Sequence, residues 1–262
     1  MNVEFLIIGN ELLIGKTLDS NSNWMAKRIS RYGHQLKRIT TIGDNLEEIS
    51  TTLREILNRN PEILIITGGL GPTHDDMTLE GIALGLNRKL ELNKHALDSI
   101  KKAYTHAFKR GILKLEGMTK ERKKMANLPQ GSTPLPNTVG TAPGVKISEE
   151  NTIIFLLPGV PTEMKSMFRN IINPILKEKK GKFIEKGFYF SGIGESQIAP
   201  YVSELEDKYP QLWIKTHPKL GLSVLVEISI TAFNVEDGVE LADKVLNEIR
   251  EIILKLGGVI KD

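Results

Sequence analysis

Cysteine is absent from the 262-residue sequence, which excludes disulfides, thiolate zinc sites and cysteine nucleophiles. No apolar stretch in the sequence approaches the roughly 18 to 20 residues that a membrane-spanning helix needs. The N-terminal stretch Met1-Asn2-Val3-Glu4-Phe5 lacks the basic flank and cleavage site of a secretory leader. We therefore expect a cytoplasmic protein without a membrane partner.

The charges are unevenly distributed along the chain. The net charge of +3 combines 27 Lys and Arg against 19 Asp and Glu in residues 1–182 with 8 against 13 in residues 183–262. A basic first part suits anionic small molecules, and an acidic second part argues against nucleic-acid binding there. The length of 262 residues is enough for one large and one small domain, each with its own core.

Strands and helices alternate in the first part of the sequence. Apolar runs typical of buried strands are found at residues 3–8, 36–42, 63–66 and 153–157. Asp19 is predicted to cap the helix after the first strand, and Asp44 with Glu47 resembles a capping box before the next helix. The pattern predicts an α/β fold with a mostly parallel three-layer sheet and right-handed crossovers.

The rest of the chain gives a coarser prediction. Further helices are expected near residues 78–86, 94–110, 119–127 and 162–172, and residues 129–144 are expected to form loop or strand-edge structure. The charged run 177–182 is the predicted linker between domains 1–177 and 183–262. The second domain is predicted to be a small α+β unit with strands near 183–190, 212–216 and 222–231 and helices near 195–207 and 236–256.

The most informative stretch is Thr67-Gly68-Gly69-Leu70-Gly71-Pro72-Thr73-His74-Asp75-Asp76-Met77-Thr78. In a parallel sheet the loops that leave the carboxyl ends of the strands gather along one edge, where ligands bind. Closely spaced glycines allow backbone N–H groups to surround a phosphate. Asp75 and Asp76 follow at the place where a divalent cation on that phosphate would lie. The loop has neither a P-loop lysine nor a dinucleotide fingerprint.

Three other loops have similar compositions: residues 9–15, 137–144 and 157–164. Taken one at a time, each is as well explained by a tight turn or a helix cap, and Asn137 and Thr141 are typical turn formers. His74 fits an exposed loop residue, and the histidines show no metal-ligand spacing.

Together, four ordered motifs resemble the CinA family (competence/damage-inducible protein). They are Gly9-Asn10-Glu11-Leu12-Leu13, the stretch 67–78, Gly140-Thr141-Ala142-Pro143-Gly144 and Leu157-Pro158-Gly159-Val160-Pro161-Thr162-Glu163-Met164. The resemblance implies a molybdopterin-binding (MoCF biosynthesis, MogA/MoaB-like) fold for the first domain. Ser191-Gly192-Ile193-Gly194-Glu195-Ser196 resembles the start of the KH-like domain that follows in this family. The nicotinamide mononucleotide deamidase domain of many bacterial members is not expected here, so that activity is not assigned.

The resemblance also implies an activity, namely metal-dependent hydrolysis of a nucleotide pyrophosphate such as ADP-ribose or FAD. Asp76, with Asp75 and Glu11, is expected to be catalytic and to bind a divalent cation (Mg²⁺, Mn²⁺ or Co²⁺). The expected substrate-binding residues are Asn10, Thr67, Gly68, Gly69, Gly71, Thr141, Gly144, Pro158 and Gly159. The basic side chain that contacts the phosphate is not identified. The candidates are Lys165, Arg169 and the basic residues between 101 and 124.

Two alternatives remain at this point. The same loop and Asp76 would serve pterin or molybdopterin binding, or adenylylation in molybdenum-cofactor biosynthesis. A non-catalytic nucleotide-binding module, in which the C-terminal helix contacts a partner, is the other alternative. In each case the ligand is a small phosphorylated nucleotide or pterin, and the family habit implies a homo-oligomer.

Overall fold

A computed structural model describes residues 1–112, 114, 117–219 and 225–261. The chain divides into two compact units, one formed by Met1–Ser30 with Gln35–Lys179 and the other by Arg31–His34 with Lys180–Asp262.

The strands of the first unit form a large sheet and a small one. In chain order they are β1 (Asn2–Ile8), β2 (Gln35–Ile42), β3 (Ile63–Thr67), β4 (Leu90–Leu92), β5 (Asn127–Pro129), β6 (Thr133–Leu135), β7 (Gly144–Glu149) and β8 (Thr152–Leu157). The large sheet has the order β2-β1-β3-β8-β7-β6, and β4 pairs with β5. Strands β2, β1, β3 and β8 are parallel, whereas β7 pairs antiparallel with both β8 and β6. The mostly parallel α/β fold is thus confirmed, and β7 is a strand that the sequence reading did not predict.

The first unit also contains eight helices within the described ranges. They are α1 (Asn10–Leu13), α2 (Ser20–Arg31), α3 (Leu46–Leu57), α4 (Thr78–Gly85), α5 (Lys94–Lys109), α6 (Lys120–Lys124), α7 (Pro161–Met167) and α8 (Asn173–Glu178), with a π-helical turn at Phe168–Ile172 before α8. The helix predicted over 119–127 is shorter than expected, because Asn127 already pairs in β5.

Both faces of the large sheet are covered. Alternate strand residues point to opposite faces, and Leu6 and Leu64 share a core with side chains of α3, α4 and α5. On the opposite face, Phe5 and Ile65 are fully buried. Burial on both faces explains why these strands are continuous apolar runs in the sequence.

Two predicted helix starts have different outcomes. Asp19 caps α2 as predicted, since its Oδ1 accepts a hydrogen bond from Ser22 N at 3.0 Å. The predicted capping box of Asp44 and Glu47 is wrong by one residue. Asn45 caps α3, because its Oδ1 accepts a hydrogen bond from Glu48 N at 3.0 Å. The Asp44 side chain is therefore available for another role.

In its described residues, the second unit consists of a four-stranded antiparallel sheet and two helices. Its elements are β9 (Phe183–Ser191), α9 (Glu195–Lys208), β10 (Trp213–Lys219), β11 (Leu225–Phe233), α10 (Gly238–Lys255) and β12 (Val259–Lys261), and the strand order is β10-β11-β9-β12. The predicted strand 222–231 begins in residues outside the described ranges, and its described part lies in β11. One face of α10 packs in a separate apolar core, as in an amphipathic helix. Across the described parts of both units, no helix has the length and apolarity to cross a membrane.

Candidate functional site

A cavity of about 450 Å³ opens at the carboxyl edge of the large sheet, where the loops after β1, β3 and β8 meet the start of α2. Most of the predicted site residues line this cavity. They are Glu11, Thr67, Gly68, Gly69, Gly71, Asp75, Asp76, Thr141, Pro158 and Gly159. The sheet edge therefore brings together residues that lie up to about 150 positions apart in the sequence.

Two predicted site residues lie elsewhere. Asn10 is absent from the cavity lining and pairs with Asp44, because Asn10 N donates to Asp44 Oδ2 at 2.9 Å and Asp44 N donates to Asn10 Oδ1 at 3.3 Å. Gly144 begins β7, where an added Cβ would lie 2.4 Å from Met167 Cε and 2.8 Å from Leu156 O. Gly144 thus permits close packing, and Asn10 orients an acid.

The glycine loop has a backbone shape that requires glycine. Gly68 has φ +104°, and a Cβ there would lie 2.0 Å from the Ile8 carbonyl oxygen. Gly69 has φ +61°, and a Cβ there would lie 2.3 Å from Thr78 Oγ1. The buried Thr78 hydroxyl donates to Gly68 O at 2.8 Å, so the first turn of α4 fixes the loop from behind.

The backbone donors of this loop are not equivalent. Gly68 N already donates to Leu157 O at 3.3 Å, which means that the predicted contact of this N–H with phosphate does not fit the observed arrangement. The N–H groups of Gly69 and Gly71 remain as the candidate anion donors of the loop.

Asp75 and Asp76 converge on one threonine. Thr73 Oγ1 lies 2.5 Å from both Asp75 Oδ1 and Asp76 Oδ2, and Thr73 N donates to Asp76 Oδ2 at 2.8 Å. The hydrogen bond from Thr73 is the main reason why the pKa of Asp75 is below its ordinary value. Thr73 therefore holds the two carboxyl groups close together.

Asp44 is a site residue that the sequence reading missed. It lines the same cavity, and its pKa is raised, mainly by burial, despite the opposing hydrogen bond from Asn10. The charges of Glu11, Asp75 and Asp76 raise it further. Asp44 lies two residues after β2, a parallel strand that ends at the same sheet edge, and this position was the available signal.

The loops on the other side of the cavity are held by amide side chains. Asn137 Nδ2 donates to Glu163 Oε2 at 2.6 Å, and Asn137 Oδ1 accepts from Gly140 N at 2.9 Å. Asn21 Nδ2 donates to Gly159 O at 2.7 Å. Asn137 thus has the turn-forming role that its residue type predicted, and Glu163 is a further acid of the cavity wall.

One of the candidate basic side chains lies beside Asp75 and Asp76. Lys124 Nζ donates to Thr73 O at 2.8 Å, which places its ammonium group at the loop that carries Asp75 and Asp76. Lys165 Nζ and Arg169 Cζ instead lie 5.8 and 5.5 Å from the centre of the Trp24 ring. The structure therefore brings Lys124 to the loop of the acid pair.

The acids fit a hard divalent cation of the magnesium type. Within the described ranges, no group of three or more His, Cys, Asp or Glu side chains has the arrangement of a metal site. Mg²⁺ is usually held by one or two carboxylates together with substrate phosphates and water, and not by a cage of protein ligands. Adjacent Asp75 and Asp76, next to a candidate phosphate-binding loop, match that arrangement.

The first unit is an α/β domain with a mostly parallel sheet and an acidic, glycine-lined cavity at its carboxyl edge. Residues 4–178 match the family described as "Probable molybdopterin binding domain". The chain therefore belongs to this family.

Similar proteins cover the chain to different extents. A protein of Sulfurisphaera tokodaii is 43% identical over 262 residues, which cover 98% of this chain and 97% of the relative. One of Sulfolobus acidocaldarius is 40% identical over 264 residues, covering 99% and 97%. The crystal structure of CinA from Thermoplasma acidophilum, whose function is given as unknown, is 34% identical with a TM-score of 0.60 and covers 67% of this chain and 99% of that one. The first unit is thus CinA-like, whereas the KH-like character of the second unit stays a prediction.

Proposed function

We propose that this protein is a metal-dependent hydrolase of nucleotide pyrophosphates such as ADP-ribose or FAD. The observation that carries the proposal is the acid pair Asp75 and Asp76, which Thr73 holds at 2.5 Å from its hydroxyl oxygen in a cavity of about 450 Å³. Such a cavity is within the usual range for small-molecule sites. The chemistry is attack of water on one phosphorus, cleavage of the P–O–P bond and release of two monophosphates.

Each group has a role in this proposal. The N–H groups of Gly69 and Gly71 face the phosphate oxygens, and Asp76 with Asp75 holds the divalent cation. When bound, the cation neutralises phosphate charge and lowers the pKa of a coordinated water. The raised pKa of Asp44 suits a carboxylate that accepts the proton of the attacking water. Glu11 lies close enough to interact with Asp44 electrostatically and completes the acidic wall.

A second candidate function is binding or adenylylation of a pterin in molybdenum-cofactor biosynthesis. The family description, "Probable molybdopterin binding domain", favours it, and the same glycine loop and acid pair would hold the phosphate of such a ligand. A non-catalytic nucleotide-binding module is the third candidate. The three differ in products: AMP from a dinucleotide, pyrophosphate from ATP and molybdopterin, or neither.

The test is incubation of the full chain with ADP-ribose, FAD, NAD or ATP and Mg²⁺, Mn²⁺ or Co²⁺, followed by chromatographic detection of AMP. The matched control for Asp76→Ala is Asp98→Ala, which removes an exposed acid of α5 that lies 4.0 Å from Lys101. We expect AMP release by the wild type and Asp98→Ala, and a rate lower by roughly 10² to 10³ in Asp76→Ala.

Absence of AMP with all four nucleotides and all three metals would refute the hydrolase. Release of pyrophosphate from ATP only when molybdopterin is present would support the second candidate. If Asp76→Asn still bound ligand and no reaction occurred with any metal, the third candidate would be favoured.

A further inference from the structure

A second cavity, of about 180 Å³, lies against the same glycine loop. Gly69, Gly71 and Asp76 line both cavities, so that the loop and its acid border both spaces. The remaining wall comes from α4, β4, α6 and β5. None of the roles assigned above uses this second space.

The wall of the second cavity is amphipathic. Leu79, Leu90 and Met125 provide apolar surface, and Glu80, Lys124 and Asn127 provide polar groups. The pairing of β4 with β5 fixes this wall, since Leu92 is opposite Asn127 in the register. Hydroxyl groups of a sugar can bond to carboxylate and amide side chains while its carbon face packs on leucine and methionine.

Lys124 supplies the positive charge of the cavity. Its Nζ donates to Thr73 O at 2.8 Å, and Thr73 contacts both Asp75 and Asp76. An ammonium group has three N–H donors, so two remain for a ligand phosphate. The neighbouring Met125 is 1% exposed, which anchors the end of α6 in the core and keeps Lys124 at the loop.

The two cavities differ in size, as do AMP and ribose 5-phosphate, the two halves of ADP-ribose. A space of about 180 Å³ is below the range of about 300 to 1,000 Å³ that holds a whole drug-sized ligand, so it fits a fragment. We propose that the second cavity binds the smaller, sugar-phosphate half of a nucleotide pyrophosphate, with Lys124 donating to its phosphate, while the nucleoside half occupies the first cavity. This inference rests on the proposed function and specifies which half of the substrate each cavity binds.

The experiment measures the binding of ribose 5-phosphate and of AMP separately, by titration calorimetry with Mg²⁺ present. Lys124→Met removes the charge, and Leu90→Trp fills the second cavity from a position that is 37% exposed. Lys123→Met is the matched control on the same helix, and Lys124→Arg is the conservative variant. We expect the affinity for ribose 5-phosphate to fall at least tenfold in Lys124→Met and Leu90→Trp, and less than threefold in Lys123→Met and Lys124→Arg. The affinity for AMP should change less than threefold in all four variants.

The inference is overturned if the wild type does not bind ribose 5-phosphate, or if Lys124→Met and Lys123→Met have equal effects on its binding. An equal loss of AMP and ribose 5-phosphate binding in Lys124→Met would overturn the division into two halves. Hydrolysis is measured in parallel with ADP-ribose. If ribose 5-phosphate binds as expected and no AMP is released, the hydrolase fails while the second cavity stands as a sugar-phosphate site.

Discussion

Gly71→Ala should separate the function of the acid site from the stability of the fold. A Cβ at Gly71 would lie 2.6 Å from Asp76 Oδ2, and the carboxylate would have to retreat to at least 3.4 Å for an ordinary contact. The backbone at Gly71 is not in the left-handed region, so alanine adds no conformational strain there. The matched control is Gly159→Ala in the opposite wall, where the added Cβ would be 3.4 Å from Gly68 Cα.

The expected loss of activity is large because the reaction depends on the position of the Asp76 carboxylate. A misplacement of about 1 Å in a reacting group can cost about 10²-fold in rate, and the move would also weaken the 2.8 Å bond from Thr73 N to Asp76. The free energy of unfolding should change by less than about 1 kcal/mol, since glycine to alanine at a compatible backbone position is close to neutral.

Three measurements test this prediction: kcat/KM for AMP release, Mn²⁺ affinity by calorimetry and the urea midpoint. Gly71→Ala should lose about 10²-fold in kcat/KM and bind Mn²⁺ more weakly, whereas Gly159→Ala should resemble the wild type in Mn²⁺ affinity and urea midpoint. Equal Mn²⁺ affinity in the two variants would refute the reasoning, because the glycine would then have no part in placing Asp76.

Two further predictions concern stability. Arg59→Met should lower the free energy of unfolding by about 3 to 5 kcal/mol, because it leaves the 5% exposed Glu4 carboxylate without its partner at 2.7 Å. Glu4→Gln should lower it by less, since the Arg59 side chain is 30% exposed. Urea denaturation measures both values, and the reverse order would contradict this prediction. The raised folded-state pKa of Asp44 means that its ionisation opposes folding as pH rises above the ordinary value of 3.8. Asp44→Asn should therefore raise Tm at neutral pH, with a gain that disappears below about pH 3.8 in a thermal scan series.

The sheet edge and most of its cavity were predictable because a parallel sheet constrains where its loops go. Apolar runs fixed β1, β3 and β8, and the unusual composition of the loops that follow them pointed to Glu11, Asp76 and Gly159. Residues that follow any parallel strand at that edge are candidates for the site, and Asp44 follows β2 in this way. It was missed because the pairs Asp44 with Glu47 and Asn45 with Glu48 both satisfy the capping spacing, and only three-dimensional contacts distinguish them.

Other parts of the site could not be predicted from sequence for a physical reason. Lys124 is one of several basic residues between 101 and 124, and its selection depends on a contact with Thr73 across 51 positions. A glycine in a motif has the same appearance whether it lines a cavity, as Gly69 does, or packs against a side chain, as Gly144 does against Met167. Strand β7 lies after a segment rich in proline and glycine, and its antiparallel pairing with β8 left no helix-strand alternation to detect.

The long-range hydrogen bonds between the loops have a practical consequence. Lys124 bonds to Thr73 across 51 positions and Asn21 to Gly159 across 138 positions, so the cavity is formed only when the whole first unit is folded. A ligand of such a cavity binds the folded state alone, and at a hundred times its Kd it adds about 2.7 kcal/mol to the free energy of unfolding. Thermal unfolding of this chain can therefore rank phosphorylated nucleotides, sugars and pterins in a single screen, before any reaction is known.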